Sequence, residues 1–270
     1  MMKLDRRQIL ALAALAGATG AIGAPPAAAH DKTGKMPPIP EDAPKIAMLV
    51  FPRMVALDLI NPMTMFKIAR TNIMLVGKDK QPVNTDVGLP IAATHSFADI
   101  PDDIDVLFVP GGTMGTVDAM RDPETLEFVR RTGERAKWVT SVCTGSLLLG
   151  AAGLLRGYDA TSHWTVTHLL PQLGANHVDD RVVIDRNRMT GGGATAGLDF
   201  GLSLVAQLAD EETAKRVQLI LEYAPAPPFD SGTPQGAGPE LVEAFQAATP
   251  WMQEQTRLAV EEAARRLPTS

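Results

Sequence analysis

Short apolar runs alternate along this chain with longer segments whose apolar positions recur at helical spacing. The run KIAMLVF over 45–51, bounded by Pro44 and Pro52, reads as a buried central strand. Segments 72–77, 105–109 and 138–142 have the same character. Between them, 56–69 and 123–136 carry apolar residues on one helical face, and Pro62 is placed near the start of the first helix, where a missing N–H is tolerated. Residues 81–97 alternate weakly around Val87-Gly88, which predicts a hairpin. Short helices are predicted at 144–150 and 162–173, and strands at 178–184 and 188–190 around the turn Asp185-Arg186-Asn187. Helices follow at 194–209 and, capped by Asp210, at 211–222. A Pro/Gly-rich loop covers 223–238, and one long charged helix is expected over 239–267. Strands alternating with helices predict an α/β domain with a mostly parallel sheet covered on both faces.

The two ends read differently. Lys3, Arg6 and Arg7 precede an apolar stretch over 9–22, and Ala27-Ala28-Ala29 offers a small-residue cleavage site. This predicts a signal peptide over 1–29 of the twin-arginine type, although Asp5 stands where that pattern usually has Ser or Thr. The expected location is periplasmic or otherwise exported, with no stable membrane insertion after processing. Residues 30–44 read as a flexible leader, 45–238 as the domain, and 239–270 as a C-terminal helical extension. The composition, 45% hydrophobic in 270 residues, is enough for one sizeable core. Net charge is −6 and no Lys/Arg block occurs in the body of the chain, so a nucleic-acid partner is not expected and a small-molecule substrate is.

Chemistry concentrates around the single cysteine, Cys143. In WVTSVCTGSLLL, strand-like residues run directly into a helix, so Cys143 lies at the bend. A residue there is forced into a sparsely allowed backbone conformation above the sheet edge. The N–H groups of Thr144, Gly145 and Ser146 then face the sulfur, and a helix N-terminus favours the thiolate. Pro110-Gly111-Gly112 ends what should be the adjacent strand, and its glycine N–H groups are candidate donors to a developing anion. Asp58, in the apolar stretch Ala56-Leu57-Asp58-Leu59-Ile60, is either a helix N-cap or a desolvated acid with a raised pKa; periodicity favours the cap. His163 either approaches the site or caps a helix. No metal and no cofactor is expected: the histidines lack ligand spacing, and Gly191-Gly192-Gly193 lacks the context of a dinucleotide loop.

Phe51-Pro52, Leu57-Asp58-Leu59, Val109-Pro110-Gly111-Gly112 and Ser141-Val142-Cys143-Thr144-Gly145 resemble the ThiJ/PfpI superfamily. The runs LLLGAAGLLRGYDATSHW (147–164), TGGGATAGLD (190–199) and LEYAPAPPF (221–229) are similar to its isonitrile-hydratase group. The resemblance implies a flavodoxin-like three-layer sandwich, a homodimer, and hydration of an isonitrile to an N-substituted formamide. It carries the catalytic cysteine onto Cys143, the acidic partner onto Asp58 and the following threonine onto Thr144, with Gly111, Gly112 and His163 left as oxyanion or substrate-binding candidates. Peptidase relatives carry His directly after the cysteine, where this chain has Thr144. The chain departs from the family pattern at Asn61-Pro62, where Gly-Pro is usual, and at the less glycine-rich Thr113-Met114-Gly115. The alternatives are a glyoxalase or deglycase acting on reactive carbonyls, with His163 as proton shuttle, and a non-enzymatic redox or ligand sensor.

Overall fold

Strand β1 (Lys45–Leu49) buries Ile46 through Leu49 completely. A strand so apolar on both faces must lie mid-sheet with helices above and below. The computed structural model describes residues 38–268; the expected signal peptide and residues 30–37 of the leader lie outside the described residues. After β1 come α1 (Ala56–Ile68), β2 (Asn72–Gly77), a small antiparallel hairpin of β3 (Val83–Asn84) and β4 (Pro90–Ile91), then β5 (His95–Ser96) and β6 (Val106–Val109). Helices α2 (Met114–Arg121) and α3 (Pro123–Arg135) lead to β7 (Trp138–Val142) and α4 (Gly145–Ala151). Next are β8 (Asp159–Ala160), a 3₁₀ helix (Thr167–Leu173), β9 (Asn176–His177), β10 (Val182–Asp185) and β11 (Arg188–Gly191). Helices α5 (Ala196–Leu208), α6 (Glu211–Ile220), α7 (Pro234–Ala237), α8 (Pro239–Ala248) and α9 (Pro250–Arg266) complete the order.

The main sheet has seven strands in the order β10-β11-β7-β6-β1-β2-β5. Only the β10–β11 pair is antiparallel, so the mostly parallel flavodoxin-like sandwich expected from the sequence is what forms. Helices α1, α5 and α6 pack together in one layer, where Phe66, Phe108 and Phe200 meet edge-on or tilted. Helices α2, α3, α4 and α9 pack as the other. The register places Val109 at the end of β6 beside Ser141 of β7. The turns that leave these two strands, 110–113 and 143–144, therefore emerge side by side, where an α/β sheet presents its ligand crevice.

Several expected elements differ: β10 begins at Val182 rather than at 178, and α7 interrupts the loop expected over 223–238. Helix α1 forms where the spacing over 56–69 predicts it, but Pro62 is its seventh residue, past the first turn where a missing N–H is tolerated, so the Asp58 carbonyl lacks its usual helical donor. The helix expected over 162–173 is only the 3₁₀ turn Thr167–Leu173. Ser162 instead donates its hydroxyl to the Cys143 carbonyl, and His163 Nδ1 bonds Thr165, which holds 162–165 outside a helix. The single helix expected over 239–267 is broken into α8 and α9 at Thr249-Pro250, since proline can open a helix but not continue one. Helix α9 buries Ala259, Val260 and Ala263 completely and joins the same hydrophobic core as the strands. Among the described residues no helix is long and apolar enough to cross a membrane.

Candidate active site

Cys143 follows β7 with φ +55°, a left-handed conformation that a side-chain-bearing residue adopts at a cost of about 1–2 kcal/mol. Hydrogen bonds hold it there from both sides. Its N–H is shared between the carbonyls of Gly191 (3.0 Å) and Gly192 (2.7 Å), and its carbonyl accepts from the hydroxyls of Ser162 (2.9 Å) and Ser146 (3.3 Å). The glycine run 191–193, excluded as a dinucleotide loop, thus provides two carbonyl acceptors that fix the elbow. Gly145 lets the elbow close against β6: a Cβ there would collide with the Val109 carbonyl and lie 2.8 Å from that of Pro110.

Asp58 lies in the first turn of α1 and is fully buried. It is not the N-cap. That position is Val55, and the Asp58 carboxylate points away from its own helix to accept the Gly111 N–H at 2.9 Å. Its Oδ1 has no hydrogen-bond partner. Burial pushes its pKa up to about 7, while the Gly111 N–H and the Cys143 thiol pull partly the other way. Of the two readings of Asp58, the desolvated acid is the one that forms.

The thiol does not behave as the helix N-terminus suggested. With the residue only 6% exposed and Asp58 beside it, burial and the neighbouring negative charge raise the Cys143 pKa well above its usual value. The N–H and hydroxyl of Thr144 act in the opposite direction and are outweighed. Desolvation of a nearly sealed sulfur exceeds what one turn of helix dipole returns. The pair at rest is therefore a neutral thiol beside a carboxyl that titrates near neutrality.

The glycine pair also differs from its expected role. The Gly111 N–H is engaged by Asp58, and the Gly112 N–H by Thr144 Oγ1 at 3.0 Å, so both donors are spent on protein groups before any substrate arrives. Thr144 Oγ1 further accepts from Thr113 N–H (3.3 Å) and shares a hydrogen bond with Thr116 Oγ1 (2.9 Å). Thr144 thus ties the glycine turn to the elbow, and Thr116, unremarked in the sequence, completes the tie. The space at Gly111 is fully used. A Cβ there would lie 2.6 Å from Asp58 Oδ2, 2.7 Å from Cys143 Cβ and 2.8 Å from Thr144 N. We expect Gly111→Ala to push the carboxyl off the thiol and lower kcat by about 10²-fold, the order of loss that a small misplacement of reacting groups produces. Steady-state assay of the folded variant checks this, and wild-type kcat would contradict it.

Cys143 and Thr144 open on a cavity of about 860 Å³ that also receives His163 and Trp164. Burial lowers the His163 pKa. Its Nδ1 faces the Thr165 N–H (3.4 Å) as well as the Thr165 hydroxyl (2.7 Å), which makes Nδ1 the acceptor and leaves the proton on Nε2. The outer wall of the cavity comes from the C-terminal segment, including Thr233, Leu241, Phe245 and Met252. Sequence reasoning missed this wall, although Leu241, Val242 and Phe245 stand at helical spacing on α8.

A thiol and a buried carboxyl, clamped together by a Pro-Gly-Gly turn beside a strained elbow, are set here in a flavodoxin-like sheet. The sequence profile of the DJ-1/PfpI family matches residues 44–207. The chain belongs to that family. Among relatives of this DJ-1/PfpI protein, isonitrile hydratase of Pseudomonas putida is 48% identical over 223 residues, covering 82% of this chain and 97% of the relative. The glutathione-independent glyoxalase DJ-1 of Schizosaccharomyces pombe is 27% identical, over 62% of this chain and 93% of its own length. Among solved structures, a ThiJ/PfpI family protein from Pseudomonas syringae is 44% identical and superposes with a TM-score of 0.79, covering 85% of this chain and 98% of that one.

Proposed function

We propose that this DJ-1/PfpI protein hydrates an isonitrile to an N-substituted formamide, with Cys143 as nucleophile and Asp58 as proton carrier. The observation that carries this reading is the Asp58 carboxyl: fully buried, titrating at about 7, hydrogen-bonded to Gly111 and adjacent to the thiol. Hydration of R–N≡C delivers protons in turn to the carbon, the nitrogen and the departing sulfur, and a group with a pKa near neutrality can both take and give each of them. The likeness to isonitrile hydratase supports the same choice.

In the first step the Asp58 carboxylate takes the thiol proton as sulfur bonds to the isonitrile carbon, and then delivers that proton to the same carbon. The product is a thioimidate, Cys143–S–CH=N–R. Water next adds to the carbon; Asp58 accepts one of its protons and passes it to nitrogen, giving Cys143–S–CH(OH)–NH–R. The C–S bond then breaks, the hydroxyl proton returns through Asp58 to sulfur, and HC(=O)–NH–R leaves. The thiol proton ends on carbon, one water proton on nitrogen and the other on sulfur, so thiol and carboxylate are regenerated. The neutral His163 Nε2–H is suited to hold the nitrogen or the developing formamide oxygen. The spent N–H groups of Gly111 and Gly112 act through Asp58 and Thr144 instead.

The active free enzyme carries one proton on the pair. kcat/KM should therefore rise with pH through about 7, as Asp58 loses its proton, and fall only where the thiol ionises, above its ordinary range. A pH–rate profile checks this, and a rate independent of pH between 5.5 and 8 would contradict it. A carbonyl-directed activity is the second reading, supported by the glyoxalase among the relatives and by His163 in the cavity. It requires methylglyoxal, rather than an isonitrile, to be consumed.

A further inference from the structure

We infer that the substrate carries a large, uncharged, apolar group on its isonitrile nitrogen, and that Phe245 of the C-terminal segment selects for it. This deepens the hydratase reading and rests on it. The reacting carbon needs only the floor of the cavity at Cys143, yet the chamber extends to about 860 Å³. That is the upper part of the range that takes drug-sized ligands, far more than a short alkyl isonitrile fills. Above the sulfur its walls include Trp164, Val166, Leu169, Leu241, Phe245 and Met252. Trp164 and Phe245 face each other with ring centroids 5.3 Å apart, inclined at 54°, so one ring from the domain body meets one from α8.

The polar wall residues argue against a charged substituent. The Arg257 guanidinium is committed to Glu254 at 2.7 Å and to Glu261, which leaves no free cation there for a carboxylate or phosphate. Glu254 is held in the same pair, and burial disfavours a charged His163. The other ionisable lining residue, His168, is exposed. Leu241 and Phe245 meanwhile keep 55% and 38% of their surface accessible. Apolar surface left open on a chamber wall is stabilised by an apolar guest. Phe245 lies on α8, which buries none of its residues, so its truncation leaves the core intact.

The test compares 2-phenylethyl isocyanide with ethyl isocyanide, which have similar reactivity and different bulk. Wild-type kcat/KM should be at least about tenfold higher for the larger compound, and Phe245→Ala should cut that ratio about tenfold, chiefly through KM. Equal efficiency for the two compounds, or a ratio unchanged by Phe245→Ala, overturns the inference. Binding of N-(2-phenylethyl)formamide against N-ethylformamide, read by quenching of tryptophan fluorescence, provides an arm that needs no turnover. If neither isonitrile is consumed but the larger formamide binds at least tenfold tighter, the hydratase reading falls and the apolar chamber stands. If neither is consumed and the two formamides bind alike, both fall. Where turnover is seen, the kcat/KM ratio decides.

Discussion

Asp58→Asn should give a protein that is more stable than wild type above pH 7 and nearly inactive. The carboxyl titrates at about 7 in the fold against 3.8 in an unfolded chain. The folded state therefore holds a proton that the unfolded state has lost. Stability contributed by this group is fully present below pH 4 and is lost as pH rises through about 7, where the charge must be carried in a buried site. Roughly three pKa units correspond to as much as ~4 kcal/mol, and sharing of charge with Cys143 brings the expectation to about 2–4 kcal/mol at pH 8. Asparagine carries no charge, and its Oδ1 can still accept the Gly111 N–H. The melting temperature at pH 8 should rise by roughly 5–10 °C, and the gain should vanish near pH 4. Turnover should fall by about 10²–10⁴-fold, the range for a lost general acid–base. Calorimetry at the two pH values checks the first half and a formamide assay the second. An asparagine variant less stable than wild type at pH 8 would contradict the assigned burial of charge.

Cys143→Ala should reduce isonitrile turnover by about 10³-fold or more, since it removes the one thiol of the chain and the hydroxyls left on the cavity wall are far weaker nucleophiles. The same variant carries a second signature. The thiol is one of the two hydrogen bonds that pull the Asp58 pKa down. Its removal should move the Asp58 titration above 7, readable by carboxyl ¹³C NMR. The fold itself should survive, because the backbone bonds of residue 143 to Gly191, Gly192 and the Ser162 hydroxyl do not involve the sulfur. Retained turnover, or an unmoved Asp58 titration, would separate the thiol from the carboxyl.

What the sequence disclosed follows from which interactions are local. The elbow was legible because strand, cysteine, small residue, glycine and helix are consecutive, and its positive φ follows from that order. The adjacency of the Pro-Gly-Gly turn was legible too, since alternating strands and helices place β6 beside β7. Asp58 stands out as an anomaly in an apolar stretch, yet its partner is the N–H of Gly111, which local periodicity does not register, so periodicity favours the cap. The glycines announced close approach without revealing that their N–H groups would be taken by Asp58 and Thr144. The raised thiol pKa is not legible, because a helix N-terminus is visible in sequence whereas the depth of burial that outweighs it is not. The cavity wall from α8 and α9 falls in the segment expected to be a C-terminal extension, because Phe245 answers to Trp164, a contact between segments distant in the chain.

The central proposal is a buried thiol–carboxyl pair that adds water to an isonitrile carbon. The most direct test is ¹³C NMR of purified protein mixed with an isonitrile labelled at its terminal carbon, with methylglyoxal in a parallel sample. Many equivalents of labelled formamide per enzyme should form while methylglyoxal persists. Survival of the isonitrile alongside consumption of methylglyoxal would contradict the proposal.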